Sequence, residues 1–94
     1  MINVLVRITV EDLAKWKPVF EKASAIRKSY GAKGSHAFSR EGSPNEIFIL
    51  TKFEDMEQAK KMYQSQELRD AMNEAGVKGP PELTFLNEVI ELPA

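Results

Sequence analysis

Apolar and polar side chains alternate along the first ten residues with the two-residue period of a β-strand. On one side of such a strand lie five β-branched residues, a class enriched in strands: Ile2, Val4, Val6, Ile8 and Val10. Three later stretches combine apolar residues with flanking turn residues. We therefore predict four strands, over residues 2–10, 34–40, 46–53 and 83–92.

Between these strands apolar residues recur every three or four positions, which is the period of an amphipathic helix. The first such segment follows Asp12, which can cap a helix, and stops before Gly31. Pro18 lies inside this segment and should bend or restart the helix. The second segment opens at residues 55–58 (DMEQ), which resemble a capping box, and Ser65 can recap the chain within it.

The predicted element order is β-α-β-β-α-β. This order is typical of the ferredoxin-like α+β fold, in which two helices cover one face of a four-stranded antiparallel sheet. A chain of 94 residues is long enough for one such domain, spanning residues 1–94.

One layer of helices covers only one face of a sheet, and in a monomer the other face should be polar. The third strand departs from this pattern, because Ile47 and Ile49 lie on one face while apolar residues also occupy the other. The sheet of an identical subunit would bury that second face. We therefore expect a homodimer formed by sheet-to-sheet packing, with five residues in the interface: Leu5, His36, Phe38, Phe48 and Leu50.

Hydrophobic residues make up 43% of the chain and charged residues 29%, with a net charge of −1. Because both signs of charge are mixed along the chain, we expect no attraction to nucleic acid or to an anionic membrane. The apolar runs are too short to span a bilayer and no signal sequence is evident, so we expect a cytoplasmic protein. Cysteine is absent and histidine occurs once, which argues against a metal centre.

The single histidine, His36, is the candidate for proton transfer near neutral pH. Its sheet face depends on the register of the hairpin formed by the second and third strands. If the turn spans residues 41–45, His36 lies opposite Leu50 and shares a sheet face with Phe38 and Phe48, the face that we expect a second subunit to bury. A one-residue bulge in the turn would instead place His36 beneath the helices. His36 is therefore a catalytic candidate only in the second register.

Four segments, EDLAKWKPVF, GSHAFSREGSPNEIFILTKFED, SQELRDAMNEAGV and PPELTFLNEV, together give the chain a recognisable pattern. This pattern resembles the dimeric α+β barrel superfamily and, more narrowly, small proteins of the antibiotic biosynthesis monooxygenase type. The resemblance covers nearly the whole chain. It implies that two ferredoxin-like subunits pack sheet on sheet, with a ligand cavity between the sheet and the helices of each subunit.

The resemblance also implies that the ligand cavity holds a small aromatic compound without a metal or flavin cofactor. Haem degradation is not expected. The haem-degrading branch has an asparagine where this chain has Val6, and it has a histidine on the second helix, where this chain has none. Monooxygenases of the superfamily often carry a tryptophan where this chain has Phe53. The residues that the resemblance places in the cavity wall are Val6, Trp16, Phe20, Ile49, Phe53 and Tyr63.

Two functions follow from these expectations. The first is a small-molecule-binding homodimer that acts as a cofactor-independent monooxygenase or cyclase on a small aromatic or polyketide-like compound. The second is a non-catalytic ligand-binding or interaction module of the same fold. The absence of a recognisable acid–base pair among the expected cavity residues favours the second.

Overall fold

A computed structural model describes residues 1–94 as four strands and four short helices. In chain order the elements are β1 (Ile2–Val10), α1 (Leu13–Lys22), α2 (Ser24–Ser29), β2 (Ala32–Arg40), β3 (Ser43–Phe53), α3 (Met56–Gln64), α4 (Gln66–Glu74) and β4 (Val77–Asn87). The strands form one antiparallel sheet in the order β2-β3-β1-β4. This is the ferredoxin-like arrangement predicted from the sequence, with each predicted helix divided into two.

The core lies between the helices and one face of the sheet. The five β-branched residues of β1 on this face are 9% exposed or less, and β3 contributes Ile47, Ile49, Thr51 and Phe53. From the helices, Trp16, Met62 and Leu68 pack against these residues. The alternation along β1 and β3 thus separates a helix-covered face from an open face.

The first helical arm is interrupted at Ala23. Pro18 was predicted to bend or restart this helix, and it does not restart it, because α1 continues through Pro18 to Lys22. A proline removes one backbone donor from a helix, and here the burial of Trp16 and the packing of Phe20 on the same helix offset that loss. The Ala23 carbonyl then accepts hydrogen bonds from the backbone N–H groups of Ile26 and Arg27, which begins α2.

The second helical arm is interrupted at Ser65, as predicted. The backbone of Ser65 is extended, with φ −74° and ψ 146°, and its hydroxyl accepts from the Leu68 N–H at 3.2 Å. Asp55 caps the start of α3 in the same way, accepting from the Glu57 N–H at 3.0 Å. Asp55 and Ser65 are thus the N-caps of α3 and α4, and both belong to the residue types that favour this position.

The β2–β3 hairpin closes through a tighter turn than expected. Its turn consists of Glu41 and Gly42, with Gly42 in the left-handed region at φ +83°, so that β3 begins at Ser43. The register is irregular at two places, between Ser39 and Arg40 next to the turn and between Ala32 and Gly34 at the far end of the hairpin. Farther from the turn Phe38 lies opposite Phe48 and His36 opposite Leu50, which is the register that keeps His36 away from the helices.

The last strand begins earlier than predicted. The expected range of 83–92 was wrong, since β4 spans Val77–Asn87 and includes Pro80 and Pro81. These prolines lie where the β1–β4 register shifts, between Arg7 and Thr9 of β1. Because β4 is an edge strand, a missing backbone donor there costs little. No helix of the protein has both the length and the apolar character needed to cross a membrane.

Substituting one buried and one exposed valine tests how much this core contributes to the free energy of unfolding. Val4 is fully buried and Val89 is 94% exposed. We expect Val4→Ala to lower the free energy of unfolding by about 2–3 kcal/mol, because it removes buried methyl groups and leaves a cavity. Val89→Ala should change it by less than about 0.5 kcal/mol. Urea denaturation at one fixed protein concentration measures both, and equal losses would contradict the assigned core.

Candidate functional site

A cavity lies between the sheet and the two helical arms. Its volume is about 60 Å³, it is partly open to solvent, and 14 of its 16 lining residues are hydrophobic. Strands β1 and β3 form its floor and residues from all four helices form its walls. A concave, mostly apolar space with a few polar groups is the usual form of a small-molecule site.

Five of the residues expected in the cavity wall line this space: Val6, Trp16, Phe20, Ile49 and Tyr63. Phe53 does not line it. Its ring is completely buried and packs edge to face against Tyr63, with 6.2 Å between the ring centroids. Thr51, two residues earlier on the same face of β3, does line the cavity. Phe53 therefore contributes indirectly, by packing against the cavity residue Tyr63.

Aromatic side chains from α1 form one wall. Trp16 and Phe20 are four residues apart, which places them on the same side of the helix, and their rings stack with 4.6 Å between centroids and 21° between planes. Trp16 is only 5% exposed. This wall therefore offers flat, apolar surfaces of the kind that pack against an aromatic ligand.

Arg27 of α2 lies against this aromatic wall. Its guanidinium carbon is 4.1 Å from the centroid of the Phe20 ring, within the range of a cation–π interaction. Its Nη2 group donates hydrogen bonds to the Phe20 carbonyl and the Ser24 hydroxyl, both at 2.9 Å. Burial lowers the pKa of Arg27, although an arginine remains charged at any physiological pH.

None of the ion pairs in the protein involves Arg27. The cavity wall therefore contains a positive charge without a carboxylate partner.

Two hydroxyl groups complete the polar part of the site. Thr51 is 1% exposed and its Oγ1 atom lies 2.8 Å from the Ser35 hydroxyl of β2. Burial raises the pKa of Tyr63 to about 12, while the Thr51 hydroxyl and the Arg27 charge partly oppose this effect. Tyr63 is thus a neutral phenol near pH 7, able to donate a hydrogen bond but not to act as a base.

The sequence reasoning did not select Arg27, Thr51 or Ser35 as site residues. Arg27 did carry a signal, since it falls four residues after Ala23 on the otherwise apolar side of the first helical arm. A charged residue at such a position either reaches solvent or faces a polar site. Thr51 and Ser35 gave no comparable signal, because small hydroxyl residues are ordinary in strands.

The remaining predicted site residues lie on the open face of the sheet. His36 is exposed, its ring lies 6.4 Å from that of Phe38, and the register puts both residues on the face away from the cavity. Leu5, Phe48 and Leu50 lie on the same face and are half-buried.

Charged residues occupy one end of this open face. Arg7 Nε donates to Glu46 Oε2 at 2.8 Å, and its Nη1 group pairs with Glu82. Arg40 Nη1 lies 3.4 Å from the same Glu46 oxygen. The hydrogen bond from Arg7 holds the pKa of Glu46 below its ordinary value. In contrast to Arg27, Arg7 and Arg40 are thus neutralised by carboxylates.

Comparison with known proteins gives a family and a fold. A family model described as a domain of unknown function (DUF1330) matches residues 3–87. The chain is similar in structure to SnoaB, a cofactor-independent oxygenase from Streptomyces nogalater, with a TM-score of 0.80 and 14% identity over 99% of this chain and 97% of that chain.

Two further solved structures show the same similarity. A candidate antibiotic biosynthesis monooxygenase from Bordetella bronchiseptica gives a TM-score of 0.79 at 15% identity, over 95% of this chain and 97% of that chain. A protein of unknown function from Nitrosomonas europaea gives 0.72 at 17% identity, over 99% of this chain and 94% of that chain. At these identities the similarity establishes the fold and leaves the activity open.

No curated protein matches the chain. The resemblance found in the sequence is confirmed at the level of fold. The chain belongs to the DUF1330 family of domains of unknown function and has the fold of the antibiotic biosynthesis monooxygenase-like proteins.

Proposed function

We propose that this protein is a homodimer that binds a small aromatic or polyketide-like compound in the cavity beneath its helices and oxidises it as a cofactor-independent monooxygenase. The observation that carries the proposal is the cavity itself. Its wall combines the stacked rings of Trp16 and Phe20 with the polar groups of Tyr63, Thr51 and Arg27. The fold shared with a cofactor-independent oxygenase supports it.

In such a reaction the electron-rich substrate itself reduces dioxygen. For an anthrone-type compound, one oxygen atom enters the ring as a carbonyl group and the other leaves as water with the two hydrogens lost from carbon. The protein would hold the ring between apolar walls and keep bulk water away from the reacting carbon. The cavity suits this task because 14 of its 16 lining residues are hydrophobic.

A non-catalytic binding module of the same fold is the second candidate. It is favoured by the titratable groups of the cavity wall, which are Arg27 and Tyr63 alone. Neither group accepts a proton near pH 7, because Arg27 is already charged and the pKa of Tyr63 is about 12. A reaction that requires a protein base in the cavity is therefore disfavoured, whereas binding and substrate-driven oxidation are both compatible with the site.

The open face of the sheet supports the homodimer. Besides the half-buried Leu5, Phe48 and Leu50, it includes Phe38, which is 58% exposed, and Leu86, which is 40% exposed. Contiguous apolar patches of this kind commonly mark interfaces. A second copy of the chain is the occupant that fits best, since the fold is that of proteins whose sheets pack in pairs.

The charges at the end of the open face are compatible with such a contact. Its ion-paired cluster contains Arg7, Arg40, Glu46 and Glu82, two cations and two anions, so its net charge is zero. A neutral cluster can approach its own copy across a two-fold axis without the repulsion that a charged patch would cause.

Oxygen uptake in the presence of anthrone- and quinol-type compounds tests the activity. We expect uptake above the rate in buffer, and we expect Ala71→Phe to reduce it by at least about tenfold, because Ala71 lines the cavity and a phenyl ring there would occupy the ligand's space. Ala14→Phe is the matched control, since Ala14 is exposed on α1 and does not line the cavity. Uptake no faster than in buffer would leave the binding module as the function.

Light scattering coupled to size exclusion at micromolar concentration tests the dimer. We expect the mass of two chains for the wild type and a shift to one chain for Leu50→Glu. That substitution buries two unpaired carboxylates in the contact, which should weaken dimerisation by about 100-fold or more. Lys60→Glu introduces the same side chain at an exposed helix position and should leave the dimer intact. A wild-type mass of one chain would overturn the homodimer.

A further inference from the structure

We propose that Arg27 makes the cavity selective for an aromatic ligand that carries an anionic oxygen, either a carboxylate or a phenolate. This inference rests on the proposed binding of a small aromatic compound in the cavity, and it adds the charge of that compound. The carrying observation is an arginine without a carboxylate partner in the wall of an otherwise apolar space.

The hydrogen bonds of Arg27 leave most of its donors available. A guanidinium has five N–H donors, and both hydrogen bonds that Arg27 makes within the protein start from Nη2. The Nε–H and the two Nη1–H groups have no acceptor in the protein. Each of these groups can donate a charge-assisted hydrogen bond to one anionic oxygen of a carboxylate or a phenolate.

The guanidinium is also held in place before any ligand arrives. The Phe20 ring lies against it at 4.1 Å, and the Phe20 carbonyl and Ser24 hydroxyl fix the Nη2 end. Because the side chain is already ordered, binding costs little conformational entropy, and more of the interaction energy with an anion contributes to the binding free energy.

The surroundings of Arg27 favour an anion over a neutral ligand. No aspartate or glutamate lines the cavity to compete for the guanidinium. Tyr63 is a neutral phenol, with a pKa of about 12, so it can donate a hydrogen bond to an anionic oxygen instead of repelling it. In an apolar space this attraction is stronger than in water. A neutral ligand would pair the three remaining donors more weakly, because hydrogen bonds to a charged acceptor are the stronger ones.

Calorimetric titration with 1-naphthoate and 1-naphthamide tests the selectivity. The two probes share a ring system and differ in charge. We expect the wild type to bind naphthoate at least about tenfold more tightly. Arg27→Gln should remove this preference by weakening naphthoate binding while leaving naphthamide binding unchanged, and Arg27→Lys should retain part of it. Arg69→Gln, at an exposed arginine of α4 that does not line the cavity, should behave as the wild type.

The outcomes separate this inference from the proposed function. Equal affinity for the two probes, or a preference for naphthoate that survives in Arg27→Gln, would overturn the role of Arg27 while leaving an aromatic-binding cavity. Selective binding of naphthoate would support this inference. If the anthrone- and quinol-type compounds then gave no oxygen uptake, the monooxygenase activity would be excluded while the selectivity remained. Binding of neither probe would overturn the selectivity assigned to Arg27, and the oxygen-uptake measurement would decide the proposed function separately.

Titration of bound 4-nitrophenol distinguishes a phenolate ligand from a carboxylate. Its phenolate absorbs at longer wavelength than its phenol, so the spectrum reports the charge of the bound molecule. We expect the wild type to lower the apparent pKa of the bound phenol and Arg27→Gln to lower it less. A loss of fold stability alone would not produce this change. An equal shift in the two proteins would overturn a phenolate role for Arg27 and confine it to carboxylates.

Discussion

The structure depends on one constraint, which is that two interrupted helical arms must cover a single face of a four-stranded sheet. Strand β1 lies inside the sheet, and its row of β-branched side chains supplies the surface that both arms pack against. Each arm breaks at a defined residue, Ala23 in the first and Ser65 in the second. The broken arms leave part of that surface uncovered, so a cavity forms over Val6 and Ile49 where a fully packed layer would otherwise lie.

The same constraint determines the two different environments of charge. On the open face, Arg7 meets carboxylates from both neighbouring strands, because Glu46 of β3 and Glu82 of β4 flank it in the antiparallel register. Under the helices, Arg27 meets an aromatic ring and a carbonyl group instead. One arginine therefore contributes to a neutral surface, and the other gives an apolar cavity its polarity.

The element order and the face of nearly every strand residue could be predicted from the sequence, because the two-residue period is a local property of the chain. The face of His36 followed from the register, because the ladder beyond the irregularity beside Arg40 pairs His36 with Leu50, as a turn over residues 41–45 would. The start of β4 and the break at Ala23 could not be predicted. An edge strand tolerates the missing backbone donor of Pro80, and tertiary packing keeps α1 helical through Pro18; neither effect can be read from the local sequence. Nor could Thr51 be distinguished from other strand residues, because periodicity identifies a face but not which position on it meets empty space.

The stacked pair on α1 has a spectroscopic consequence. Trp16 is the single tryptophan of the chain, it is almost completely buried, and it lines the cavity in contact with Phe20. The tryptophan emission of this protein therefore originates from one site, and that site is the wall of its cavity. The molecule carries its own optical indicator of occupancy, whose wavelength and intensity respond to displaced water or to a bound ring without any label being attached.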